Sequence, residues 1–331
     1  MCSLFFADLG ADVIKIESPK GDPMRYIDAN KNTSPYFDAL NRNKKSVSID
    51  LKTPKGKKSF INLAKNADII IEGFRPGKAD SLGIGYKDIK KVNPGIIYCS
   101  ISGYGQKGNY KGRAGHDLNY SSLSGMLDIM SNKPFVPGVQ IADTGCALIA
   151  AFSILACVFY RKKRDKGNYI DVSIFRSALS LIGIHIAKHS IATAKNKKTI
   201  LSGSKPCYNI YKTKDKKYLS LCAVEKKFWE SFCDSIDRND LLLRQFDETA
   251  IEELNSIFKN RNSNEWLALN ERHDFCCEPV KKIGEVINDE YLNKKEIIIK
   301  LGDLKQVAFP VEFSSIKKIN YKKCLKTKLR S

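Results

Sequence analysis

Two apolar runs, DIIIEGF at 68–74 and GIIYCSISGYG at 95–105, constrain the fold more than any other feature. Each is short, rich in isoleucine and closed by glycine, as buried strands are. Between them, near 78–91, the patterning turns helical. Strand, helix and strand at this spacing predict a parallel sheet with right-handed crossovers. ADVIKIE (11–17), KSVSIDL (45–51) and YIDVSIF (169–175) read as further strands. TPKGKKSFINLAKNA opens a helix with Thr53 as N-cap and Pro54 at the first helical position.

After a glycine-rich turn, residues 117–128 look helical. QIADTGCALIAAFSILACVFYRKKRDKGN then reads as a long apolar helix. Asp143 or Thr144 caps it, basic residues complement its C-terminus, and Gly167 ends it. RSALSLIGIHIAKHSIATA is a further helix. From Cys207 the texture changes. YNIYKTKDKKYLSLCAV reads as a hairpin, and short amphipathic helices run from 225 to about 272. AFPVEFSS reads as a strand and linker that return to the first domain. The expected organisation is a large α/β domain over 1–195, a small α+β domain over 204–295 and a C-terminal return over 296–331.

The longest apolar run, CALIAAFSILACVFY, stops at RKKRDK after 15 residues. That suits a core helix better than a membrane span. The N-terminus has no basic region ahead of an apolar one, so no signal peptide is read. Ten scattered cysteines include no C-x-x-C pair, which argues against a zinc site and for reduced thiols in a cytoplasmic protein. The net charge of +20 comes from 56 Lys and Arg against 36 acids, spread along the chain rather than gathered in one segment. A solvated basic surface accounts for most of it, with some charge available to a phosphate-bearing ligand. No nucleic-acid-binding motif accompanies it.

Several residues can carry chemistry. GYGQKG (103–108) has the spacing of a dinucleotide fingerprint but opens no helix, so it reads as a flexible loop. His185 and His189 lie four apart on a helix without a third metal ligand at a useful spacing. Arg75 and Lys52 follow strands, at the sheet edge where ligands bind; each is either a phosphate contact or a surface residue. Asp143 is either a helix cap or a carboxylate held ionised at a helix start, able to act as base or nucleophile. His116, in GRAGHDLNY, is either a turn histidine or an acid–base group.

Taken together, LGADVIKIESPKGD, NRNKKSVSIDLKTPKG, IIEGFRPG, SGYGQKGNYKGRAGHDLNYSSLSG, ADTGCALIAAFSI, GNYIDVSI and AVEKKFW resemble, in order, the landmarks of the class III CoA-transferase (CaiB/BaiF) superfamily. The form G-H-D-x-N-Y is the one typical of α-methylacyl-CoA racemases, whereas transferases usually carry another residue at the histidine. The resemblance spans Cys2 to about Phe313.

It implies a Rossmann-like large domain and a small domain in an interlocked homodimer, with acyl-CoA as substrate and neither metal nor further cofactor. It implies catalytic roles for His116, Asp143 and Glu225. CoA contacts are implied at Asp50, Leu51, Lys52 and Arg75, and over Gly115, His116, Asp117, Leu118, Asn119 and Tyr120. The reaction implied is inversion of 2-methylacyl-CoA at the α-carbon through an enolate, its oxygen held by backbone N–H groups at the start of the 144 helix. CoA transfer through an aspartyl intermediate at Asp143 is the alternative. Two departures stand out. Ser18 replaces an arginine frequent in racemases, and the first β-strand, which relatives carry ahead of the position of Cys2, is expected to be missing.

Overall fold

The computed structural model describes residues 1–29, 34–131, 133–191, 199–315 and 319–326. The chain divides into two compact units, Met1–Lys188 with Glu290–Ser331, and His189–Asp289.

The first unit is α/β. Strands Ile69–Glu72, Ile97–Ser102 and Asn168–Ser173 form a parallel sheet in that order. The central strand is almost wholly buried, while Ile69–Glu72, with one sheet neighbour among the described residues, is only half-buried. A second parallel sheet holds Ile14–Glu17, Lys45–Ser48 and Leu325–Lys326. Among the described residues, the two sheets share no strand pairing.

The start of helix Pro54–Lys65 follows from its sequence. Thr53 Oγ1 accepts the Gly56 N–H at 3.0 Å, and Pro54 occupies the first turn. The helix predicted near 78–91 divides into Lys78–Ser81 and Tyr86–Val92. That over 117–128 becomes Asp117–Leu123 and Met126–Met130, parted by Gly125 at φ 83°. RSALSLIGIHIAKHSIATA divides likewise into Ile174–Leu181 and Gly183–Ile191; residues 192–194 lie outside the described chain.

Helix Ile141–Arg164 lays Cys146, Ala147, Ala150 and Ile154 against the sheet core. That core also holds Cys2 from helix Cys2–Asp8, with Ile97, Cys99 and Val172 from the sheet. By length and composition the helix could cross a membrane, although the uncharged run inside it is shorter. One face of the helix, made mostly of small residues, packs on the sheet, and the opposite face is exposed.

Both predicted ends of this helix shift. It begins at Ile141, so Asp143 is its third residue and not its cap. Asp117 supplies an acceptor to the Asp143 N–H from outside, which lets the helix start earlier. It ends at Asp165 in the left-handed conformation (φ 50°), whose N–H bonds the Arg161 carbonyl at 2.7 Å. Gly167 serves another purpose. A Cβ there would stand 2.7 Å from the Gly95 carbonyl carbon, so glycine is needed for two strand entrances to touch. Arg161 secures the same place, donating from Nη1 to the Asp68 and Gly95 carbonyls at 3.2 and 3.1 Å and from Nη2 to Asp68 Oδ1 at 2.7 Å.

The C-terminal segment departs from expectation. AFPVEFSS forms no extended strand, since Pro310 has no N–H to give a ladder. Phe309 and Phe313 stack at 6.3 Å instead, and the Phe309 N–H donates to Tyr321 Oη at 2.8 Å. A hairpin of Ile298–Leu301 and Leu304–Val307 precedes it. Buried Arg42 ties this hairpin down. It pairs with Asp8 at 2.6 Å and donates to Gln306 Oε1 at 3.1 Å and the Val307 carbonyl at 2.8 Å.

In the second unit, Tyr208–Lys212, Tyr218–Cys222 and Cys277–Pro279 make an antiparallel sheet. Its core is aromatic. Phe258 stacks on Tyr211 at 4.5 Å and on Trp266 at 4.4 Å, and both tryptophan N–H groups bond backbone carbonyls.

Candidate active site

Strands Ile69–Glu72 and Ile97–Ser102 end side by side in a parallel sheet, and loops beyond such ends bind ligands. A cleft of about 470 Å³ opens there within the first unit. Phe74 and Arg75 line it after one strand, Ser102 and Gly103 close the other, and the 111–116 loop with the start of helix Asp117–Leu123 forms the opposite wall.

The loop GYGQKG, expected to be flexible, is anchored. Its Gln106 N–H reaches both carboxylate oxygens of Asp171 at 3.2 Å. Gly105 there takes φ 91°, which a side chain would resist. Tyr104 meets Tyr120 edge-on at 5.2 Å and Tyr110 at 5.8 Å. Arg113 lies over the Tyr110 ring at 4.0 Å, a cation–π contact that steadies its guanidinium. Tyr120 Oη donates to the Gly115 carbonyl at 2.7 Å. A Cβ at Gly115 would come within 2.9 Å of the Tyr120 ring, so the glycine of GHD lets the loop lie on the tyrosine.

His116 stands at the N-cap of helix Asp117–Leu123, where its N–H donates to Asn119 Oδ1 at 3.0 Å. It is exposed and lines the cleft. Asp117, next along the chain, reaches over to the long helix, with Oδ1 accepting the Asp143 N–H at 2.9 Å. Asp143 keeps an exposed face, yet burial of its carboxyl is the largest influence and raises its pKa. Repulsion by Asp117 raises it further, and the charge of His116 opposes the shift. The Thr144 N–H bonds the Gln140 carbonyl at 3.0 Å. Of the N–H groups at the start of this helix, those of Asp143 and Thr144 point to protein acceptors.

The cleft gathers Arg75, Gly115, His116, Asn119 and Tyr120 of the expected residues. Asp117 and Leu118 lie on the adjoining helix, and Asp143 lies beside them without lining the cleft. Asp50, Leu51 and Lys52 form a separate turn after Lys45–Ser48, where Asp50 Oδ1 accepts the Lys52 N–H at 3.0 Å. Glu225 belongs to the second unit, at the N-cap of helix Lys226–Ser235. Lys111, Arg113 and Ser102 line the cleft without having been singled out, although NYKGRAGHD put two of them close to His116.

The profile of CoA-transferase family III matches residues 1–323. The chain belongs to the class III CoA-transferase family. Succinyl-CoA:glutarate CoA-transferase of Homo sapiens is 31% identical over 315 residues, 89% of this chain and 71% of that protein. Alpha-methylacyl-CoA racemase of Homo sapiens is 30% identical over 301 residues, 88% of this chain and 76% of that protein. The crystal structure of a CaiB/BaiF family protein from Brucella suis superposes with a TM-score of 0.85 at 24% identity. It covers 98% of this chain and 91% of that one. The α/β fold with parallel sheets is thus that of the class III family, whose relatives include both transferases and a racemase.

Proposed function

We propose that this class III family member racemises 2-methylacyl-CoA thioesters. The observation that carries the reading is that His116 lines the cleft while its neighbour Asp117 bonds the backbone N–H of Asp143, which brings the start of the long helix to the same turn. The α-hydrogen of a thioester is weakly acidic, and its removal leaves a planar enolate. Inversion needs a base on one face and an acid on the other. His116 takes the proton from one face, and the Asp143 carboxyl delivers one to the other. Removal from the second enantiomer exchanges the roles. Arg75, Lys111 and Arg113 bring cationic groups to the same cleft, and these suit CoA phosphates.

Incubating the enzyme with either enantiomer of a 2-methylacyl-CoA in D₂O tests this. Deuterium enters at C2 while optical activity decays. A substrate that keeps both its C2 hydrogen and its configuration overturns the reading.

CoA transfer is the second reading, favoured by the 31% identity to a CoA-transferase and by the carboxylate that Asp143 offers as a nucleophile. Asp143 would attack the thioester carbonyl, expelling CoA thiolate and leaving a mixed anhydride. Thiolate attack on the aspartyl carbonyl then frees the acid and leaves CoA on Asp143. Hydroxylamine trapping, with CoA passing to a free carboxylic acid, identifies that route.

We further propose that the chain works as a homodimer. Leu148, Phe152, Leu155 and Phe159 recur at spacings of four, three and four along helix Ile141–Arg164, and all are exposed. A second copy would cover such an apolar stripe.

A further inference from the structure

Two of the residues that line the cleft carry hydroxyls, Tyr120 and Ser102. Tyr120 Oη is committed to the Gly115 carbonyl. Ser102 Oγ has no hydrogen-bond partner among the described residues, although Ser102 is only 6% exposed. Its neighbours differ. Ser100, two residues back on the same strand, accepts from Tyr169 Oη at 3.2 Å. Ser173, directly across the sheet, donates to the Gly103 carbonyl at 3.3 Å and accepts the Arg176 N–H at 3.2 Å. A buried hydroxyl without a partner is rare and needs an explanation. Ser102 is the last residue of the central strand, at the sheet edge where ligands sit.

Acyl-CoA chemistry calls for such a group. Charge collects on the thioester oxygen as the α-proton leaves or as a carboxylate attacks, and a donor fixed nearby stabilises it. The N–H groups of Asp143 and Thr144 already have acceptors. Arg75, Lys111, Arg113 and Asn119 are exposed, so water competes for them.

We infer that Ser102 Oγ donates a hydrogen bond to the thioester carbonyl oxygen of the bound acyl-CoA. The inference rests on the acyl-CoA reading above but holds for either reaction. No bond is made to serine. Its proton stays on Oγ while negative charge builds on the substrate oxygen and then leaves it.

Ser102→Ala, nearly isosteric, tests this on the full-length enzyme, by deuterium exchange into a 2-methylacyl-CoA and by CoA transfer. The expected result is a fall in kcat of about 10²-fold with KM nearly unchanged and the melting temperature held. Ser102→Thr, which keeps the hydroxyl, retains most of the rate. A raised KM at unchanged kcat would assign the hydroxyl to a ground-state contact, such as a pantetheine amide, and overturn the inference. Unchanged kinetics would overturn it as well. A wild-type enzyme that neither exchanges nor transfers fails at a different point: the acyl-CoA reading falls, and the serine assignment with it.

Discussion

Asp117 Oδ1 accepts the backbone N–H of Asp143 at 2.9 Å, across 26 residues of sequence. One carboxylate thereby joins the turn that carries His116 to the helix that carries Asp143. It also places a negative charge beside the Asp143 carboxyl and raises its pKa.

Asp117→Asn keeps an acceptor and removes that charge. The Asp143 pKa then falls, and the limb of the pH–rate profile that reports it moves to lower pH. Asp117→Ala loses the acceptor too and weakens the helix start by about 0.5–2 kcal/mol. Paired pH–rate profiles and thermal melts separate the two effects.

Glu17 gives a pH dependence of stability. Burial pushes its carboxyl up, but hydrogen bonds from Arg25, Ser46 and the Asp22 backbone outweigh that and hold it at about 2. A carboxylate with a depressed pKa in the folded state stabilises the fold above its unfolded value, near 4.5. That contribution is lost as pH falls from there toward 2. The stability margin of the wild type over Glu17→Gln, followed by denaturant unfolding, shrinks across the same window.

Arg42 and Asp8 form a buried pair, with side chains 6% and 1% exposed. Arg42→Ala leaves the Asp8 carboxylate buried with only Asn43 Nδ2 as side-chain donor among the described residues, and it releases the hairpin at Gln306. The expected cost is about 3–5 kcal/mol, read from urea midpoints at constant m-value.

Phe152 is 74% exposed on the long helix, so Phe152→Asp leaves the interior intact. Light scattering after gel filtration should give a dimer mass for the wild type and a monomer mass for the variant.

The sequence made some of this legible and hid the rest for physical reasons. Strand Ile97–Ser102 is buried on both faces and reads as an unbroken apolar run. Thr53 and Pro54 start a helix with contacts no more than three residues apart. Hairpin Ile298–Val307 escaped notice because lysines and glutamates surround its short apolar stretch, and Arg42, distant in sequence, holds it. The true start of the long helix was equally hidden, since its acceptor sits on Asp117. His116 and Arg75 could be picked out from their motifs. Ser102 could not, because a missing partner is visible only once every neighbour is known.

Arg161 has a bearing on chemistry far from itself. It clamps the C-terminal end of a rod whose other end carries Asp143, 18 residues and about 27 Å away at 1.5 Å per residue. A stiff helix pinned at its tail transmits any slip there to its tip. Under the proposed reaction, turnover should therefore be sensitive to Arg161, and selection for slower or faster variants would act on Asp143 from the far end of its helix.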